Sequence, residues 1–195
     1  MTIEELIYIL KTRSPSTIIR ESEEEVFELI PELKECKGFD QHNEEWHPYD
    51  VYEHILRVVD NVENDEVLRM SALFHDLGKP QTFELDKYGI GHFRDHWFIS
   101  KDIFEDFAEK HSYDKTKTKE ISNIIRFHDL NLGKVDGKLK EEVINSFDKE
   151  GIIKLFKLKR ADLLAQSKEK RKLLKDYDKQ EKAFKLIYER RNTNE

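Results

Sequence analysis

The sequence predicts an all-α protein, a helical bundle carrying one short hairpin-like insertion near residues 82–93. Two observations lead there. Apolar residues recur at helical spacing along nearly the whole chain, in clusters at Leu6–Leu10, Val67–Phe74, Trp97–Phe107 and Ile152–Leu158. Only Thr82–Phe93 has a strand-like pattern, with Asp86-Lys87-Tyr88-Gly89 as a turn between two short arms.

The elements follow in order. Thr2-x-x-Glu5 is a capping box for a helix with Ile3, Leu6, Ile7 and Leu10 on one face. Ser14–Pro15 sets an N-cap and an N1 proline for the next start, and Glu23–Ile30 continues until Pro31. Asp50-x-x-Glu53 opens a helix carrying Val51, His54, Ile55, Val58 and Val62. Asp65 caps the next, which runs to His75–Asp76 and stops at Gly78 and Pro80. Helical pattern resumes over Asp95–Lys110, then Thr116–Phe127, Lys140–Phe147 and Gly151–Ser167. A charged terminal helix is expected from Lys168, with Leu173, Leu174, Tyr177, Phe184 and Ile187 as a sparse apolar stripe. No internal repeat or low-complexity linker is apparent.

The chain has 195 residues, enough for one domain with a tail: residues 1–167, with N-terminal helices 1–33 packing on the rest, and a C-terminal helix over 168–195. The apolar clusters exclude full-length disorder. No window of ~18 apolar residues spans a membrane. The N-terminus MTIEELIYIL lacks a basic n-region and reads as mature sequence, and the single Cys36 fits a reducing, cytoplasmic setting without a disulfide. Residues 151–195 hold fourteen Lys and Arg against seven Asp and Glu, a net of +7. The whole chain carries −7, so residues 1–150 carry −14. Such an acidic body argues against an extended nucleic-acid footprint, which needs a basic surface.

The adjacent pair His75–Asp76 is the informative one among eight histidines. At a helix C-terminus, an imidazole nitrogen and a carboxylate oxygen can bind one cation together. Mixed N/O ligation suits Mn, Fe, Ni, Co or Zn better than Ca, with Mg a further candidate. No Ser-His-Asp or Cys-His nucleophile arrangement is present, nor a phosphate-binding G-x-x-x-x-G-K-[ST] loop.

Phe74-His75-Asp76-Leu77-Gly78-Lys79-Pro80 resembles the HD-x-GK signature of the HD-domain phosphohydrolases. More narrowly, Gln41 through Phe98 resembles the HD domain that accompanies tRNA nucleotidyltransferases and poly(A) polymerases. The matching strings are His47-Pro48-Tyr49-Asp50-Val51-Tyr52-Glu53-His54, the HD-x-GKP string, and Phe93-Arg94-Asp95-His96. They continue with Ile125-Arg126-Phe127-His128 and Arg160-Ala161-Asp162-Leu163-Leu164-Ala165-Gln166, so the likeness covers roughly residues 40–167. The paired-carboxylate motif of a nucleotidyltransferase head is not seen, and nucleotide addition is not expected.

The resemblance implies His54, His75, Asp76 and Asp162 as primary metal ligands. His96, His128 and Asp129 resemble the further ligands of members that hold two ions with Asp76 bridging, so one or two ions stay open. It implies catalysis at His75, Asp76 and Lys79, the lysine supplying positive charge to phosphoryl oxygens. Arg126, Arg160 and His92 are candidate substrate contacts. His42, His47 and His111 have no expected chemistry, His47 being read as packing at the site entrance.

The implied activity is metal-dependent hydrolysis of phosphate mono- or diesters by an activated water. The expected partners are a phosphorylated small molecule or an RNA end, including 2′,3′-cyclic phosphates. Two alternatives stand beside it. One is another phosphate substrate, such as a 5′-nucleotide, a dNTP or a cyclic dinucleotide; Asp129-Leu130-Asn131 after His128 lacks the GYP-type motif of the signalling subgroup. The other is a non-catalytic module with a structural ion. RNA binding by the basic C-terminal helix, and oligomeric state, stay open.

Overall fold

Capping side chains set the helix starts. The computed structural model describes residues 1–192; the end of the expected 168–195 segment, residues 193–195, lies outside the described residues. In order the elements are α1 (Ile3–Leu10), α2 (Pro15–Glu21), α3 (Glu23–Leu29), α4 (Pro31–Cys36), α5 (Val51–Asn61) and α6 (Glu66–Phe74). A 3₁₀ turn, Pro80–Thr82, leads into β1 (Phe83–Leu85) and β2 (Gly91–Phe93). Then come α7 (His96–Lys110), α8 (Lys115–Phe127), α9 (Gly137–Ser146), α10 (Lys149–Ala165) and α11 (Leu174–Asn192). The fold is mostly helical with one two-stranded hairpin, as the patterning predicts.

Thr2 and Glu5 form the reciprocal capping box, and Asp50 and Asp65 accept from Glu53 N and Leu68 N. Ser14 and Pro15 take the N-cap and N1 positions of α2 as read, but the Ser14 side chain makes no cap bond. Asp60, from α5, accepts from Ser16 N at 3.2 Å and Ser16 Oγ at 2.5 Å instead. A tertiary partner has taken a local role.

The core sits where α5, α6, α8 and α10 meet, with α7 packed on α8 and α11 on α10. Val58, Val59, Phe74, Ile124, Ile125, Leu155 and Phe156 are fully buried there. Helices α1 and α2 lie against α6 and α5. Arg69, buried in α6, donates to the Leu10, Thr12 and Glu63 carbonyls and so ties the end of α1 to the bundle. The hairpin pairs Phe83 with Phe93 and Leu85 with Gly91. Asp86 Oδ1 accepts from Tyr88 N and Ile90 N to close its turn, and Gly89 takes φ +77°.

Two glycines fix close approaches around the site. A Cβ on Gly78 would collide with the His96 carbonyl, and one on Gly91 with the Gln41 carbonyl. The first lets the turn after α6 meet the start of α7; the second lets β2 lie against the 39–50 loop. At the C-terminus the single expected helix is divided. Lys168–Leu173 is a 3₁₀ segment, and α11 begins at Leu174. Helix α9 begins at Gly137 rather than Lys140.

Candidate metal centre

The side chain of Asp76 lies at the centre of a buried polar cluster. Helix α6 ends at Phe74, and its last turn tightens through Leu77 N to Phe74 O at 3.3 Å and Lys79 N to Asp76 O at 3.0 Å. That places His75 at the C-cap and directs Asp76, 2% exposed, between α5 and α7. Asp76 Oδ2 lies 3.3 Å from His54 Nε2, 3.2 Å from His75 Nε2 and 2.7 Å from Lys79 Nζ. Its Oδ1 lies 3.1 Å from His96 Nε2 and 3.6 Å from His128 Nε2. From α10, Asp162 Oδ1 comes within 3.0 Å of His54 Nε2 and accepts from Gln166 Nε2 at 2.8 Å.

The histidines are oriented by the backbone. His75, His96 and His128 each place Nδ1 at 2.7–2.8 Å from the carbonyl three residues earlier, Ala72, Phe93 and Ile125. A carbonyl only accepts, so Nδ1 carries the proton and Nε2 is left to face the centre. In neutral rings those Nε2 atoms are acceptors, and they face one another and a carboxylate. His96 Nε2 and His128 Nε2 are 3.3 Å apart, while His54 Nε2 and His75 Nε2, both buried, make no well-formed hydrogen bond among the described residues. Acceptors so placed repel unless a cation lies among them.

Protons cannot supply all of that charge. Two carboxylates, Asp162 on His54 alone and Asp76 already paired with Lys79, cannot neutralise four imidazolium rings. Burial lowers the His128 pKa despite Asp76 beside it. His54 is the exception: burial would lower it, but Asp162 and Asp76 outweigh that and raise it. Burial pushes the Asp76 carboxyl up, yet Lys79 and the imidazoles of His75, His128 and His54 gathered around it hold it well below the usual range. Asp162 is held low in the same way, His54 opposing the effect of burial. The donor set fits a divalent transition ion. His54, His75 and Asp76 form one group with convergent ligand atoms, and Asp76, His96 and His128 form a second. These spacings of 3.0–3.6 Å suit donors sharing an ion at about 2.1 Å.

Above the cluster lies a cavity of about 190 Å³, lined by His47, Asp76, Lys79, Gly91, His92, Phe93, His96, His128, Asp129, Asp162, Gln166 and Lys170. A wider groove of about 620 Å³ between residues 44–49 and 164–171 contains no histidine. The chemistry therefore belongs to the smaller cavity. Lys79 is held there by Asp76 and by Gln41 Oε1 at 2.9 Å. His92 lines the wall and pairs with Asp86 at 3.1 Å. Asp129 lines the rim with its side chain exposed and belongs to neither convergent group.

Arg126 and Arg160 do not reach this wall. Arg126 stacks on Phe98 at 3.8 Å and pairs with Glu142, while Arg160 is held by Asp178 and Glu181 of α11. Carboxylates on outer helices hold both guanidinium groups away.

Sequence reasoning gave four residues around the site no chemistry. His47 faces the cavity as well as shaping its edge, and burial, reinforced by Lys79, lowers its pKa to about 2. Gln41 orients Lys79. Lys159 is 2% exposed and donates to the carbonyls of His128 and Leu130, the latter at 2.9 Å. Lys170 comes from the 3₁₀ segment, with Nζ 4.0 Å from the Trp46 ring centre. Burial lowers it to about 8, Asp162 opposing and Lys79 adding to the effect. Lys170 lies in an uninterrupted charge run that has no periodicity to single it out.

Comparison with known families matches the model described as HD domain over residues 45–179. A search of curated proteins found no match. No described helix is long and apolar enough to cross a membrane.

Proposed function

The chain belongs to the HD-domain family, whose members are generally metal-dependent hydrolases, and from that premise we propose that it hydrolyses phosphate esters of nucleotides or RNA ends. 2′,3′-Cyclic phosphates are within the proposed range, and the narrower likeness to nucleotidyltransferase-associated HD domains supports that choice of substrate. The observation that carries the reading is Asp76, one buried carboxylate shared by two groups of convergent ligand atoms. His54, His75, Asp76 and Asp162 would hold the first ion; His96, His128 and Asp129 would add the second, around Asp76.

A divalent ion held there would supply an activated water at neutral pH and would polarise a phosphoryl oxygen. The chain's own groups do the rest. His75, His96 and His128 are locked by their Nδ1 bonds, so their Nε2 atoms need no reorganisation. Lys79, steadied by Gln41, keeps a positive charge on the wall where phosphoryl oxygens lie. His92, with Asp86 on its ring nitrogen, is a substrate contact from the hairpin. Residues 1–167 form the proposed catalytic domain and the C-terminal helix an appended charged element.

The test is metal analysis of the purified protein, then turnover of mono- and bis-p-nitrophenyl phosphate with Mn, Ni or Mg. Metal-dependent turnover, abolished by Asp76→Ala, is expected. Folded, metal-loaded protein inert on these esters and on a nucleotide panel would leave only a binding module. Rates on 2′,3′-cyclic AMP against 5′-nucleotides separate the substrate classes.

A further inference from the structure

Lys170 lines the metal cavity and forms no ion pair among the described residues. Its position is built from three sides. Ser167 N donates to the Trp46 carbonyl at 3.2 Å, tying the start of the 3₁₀ segment to the 43–47 loop. Gln166 Nε2 anchors the preceding residue on Asp162. The Lys170 ammonium rests on the indole of Trp46, which is itself 42% exposed. A cation on a partly exposed ring is weakly held compared with one hydrogen-bonded to phosphate oxygen. The ring parks the ammonium without spending its charge.

The other lysine of the cavity is already engaged, by Asp76 and Gln41. Any anion entering above the ions therefore meets one unpaired positive side chain. The cavity, about 190 Å³, has room for a phosphate group. A monoester carries nearly two negative charges near neutral pH, its second pKa being about 6; a diester carries one and a second bulky substituent. Resting on the hydrolase reading above, we infer that Lys170 is a specificity-determining residue, receiving the terminal phosphate of a monoester and favouring it over a diester; within the proposed range it ranks 5′-nucleotides and phosphorylated RNA ends above 2′,3′-cyclic phosphates, which are diesters.

The experiment compares metal-loaded wild type, Lys170→Met, Lys170→Gln and Lys170→Arg. It measures KM and kcat on the mono- and bis-p-nitrophenyl esters, binding of inorganic phosphate by calorimetry, and metal content. In Lys170→Met and Lys170→Gln, monoester KM and phosphate Kd should rise about tenfold, the loss of one charge-assisted hydrogen bond. Metal content stays unchanged, kcat stays within about threefold and diester KM within about twofold, because uniform phosphate binding is what was removed. Lys170→Arg restores most of the binding. Phosphate affinity unchanged in Lys170→Met, or equal losses on both esters, would overturn the assignment. If Lys170→Met loses its thermal transition, the Gln and Arg variants decide. If wild type turns over neither ester, the hydrolase reading falls, and calorimetry still decides whether Lys170 binds phosphate.

Discussion

Two helix pairs build the centre by the same means. In α5–α6, His54 comes from the first helix and Phe74-His75-Asp76-Leu77 closes the second. In α7–α8, His96 comes from the first helix and Phe127-His128-Asp129-Leu130 closes the second. The tetrapeptide Phe-His-Asp-Leu thus occurs twice, a local recurrence that a search for repeats of domain scale passes over. Both corners keep helical backbone through the histidine, and both send Nδ1 to the carbonyl three residues back. Their aspartates differ. Asp76 is 2% exposed and touches His54, His75, His96 and Lys79, whereas Asp129 is exposed at the rim. Identical local chemistry has two fates because one corner points between the pairs and the other toward solvent. A desolvated carboxylate must be matched by cations; an exposed one is satisfied by water.

The sharpest way to break this asymmetry is to remove each aspartate. Asp76→Ala should abolish turnover, on the order of a thousandfold or more, with loss of both ions. Asp129→Ala should keep one ion and lose about ten- to a hundredfold in activity or second-site affinity, on the scale of weakened ligand shells. Metal content per chain, read with kinetics, decides. Equal losses would mean that exposure does not rank the two corners.

Chelation comes next. Ions bound far above their Kd stabilise by about 4 kcal/mol at a thousandfold excess. At roughly 2–4 °C per kcal/mol for a chain of this size, Tm should fall by about 10 °C on chelation. Back-titration should recover most of it within the first equivalent; a gain spread evenly over two would level the pairs.

The smallest effect concerns Lys159, which supports only the second corner. Burial holds its ammonium at about 8 against an ordinary 10.5. Between those values the unfolded chain binds more protons than the folded one, so stability from this group rises with pH from about 8 to 10.5. Lys159→Met should remove that rise. It also leaves the His128 and Leu130 carbonyls without their donor, at a cost of about 2 kcal/mol near neutral pH. Denaturant unfolding at pH 7 and pH 9.5 measures both, and an unchanged pH slope would remove Lys159 from this role.

Much of the helical layout was legible because its causes are local. Thr2 and Glu5, Asp50 and Asp65 cap within three residues of themselves, and Gly78 and Pro80 stop α6 whatever surrounds them. The hairpin was equally readable, its turn closing on Asp86 and Gly89. The acceptor for the first turn of α2 was not, since Asp60 lies 44 residues from Ser16. Nor was the outward turn of Arg126 and Arg160, which depends on Glu142 and on two acids of α11.

For the centre itself, the amino-acid sequence determined which residues are able to ligate and that His75 and Asp76 sit together at a helix end, because residue chemistry and helix termination are short-range properties. The tertiary structure alone decided that Asp76 is shared while Asp129 stays at the rim. It alone brought Lys170, 94 positions after Asp76 in the sequence, onto the same cavity wall. Burial and convergence arise from the packing of α5, α6, α7, α8 and α10 around one point, and no segment of the chain carries that information by itself.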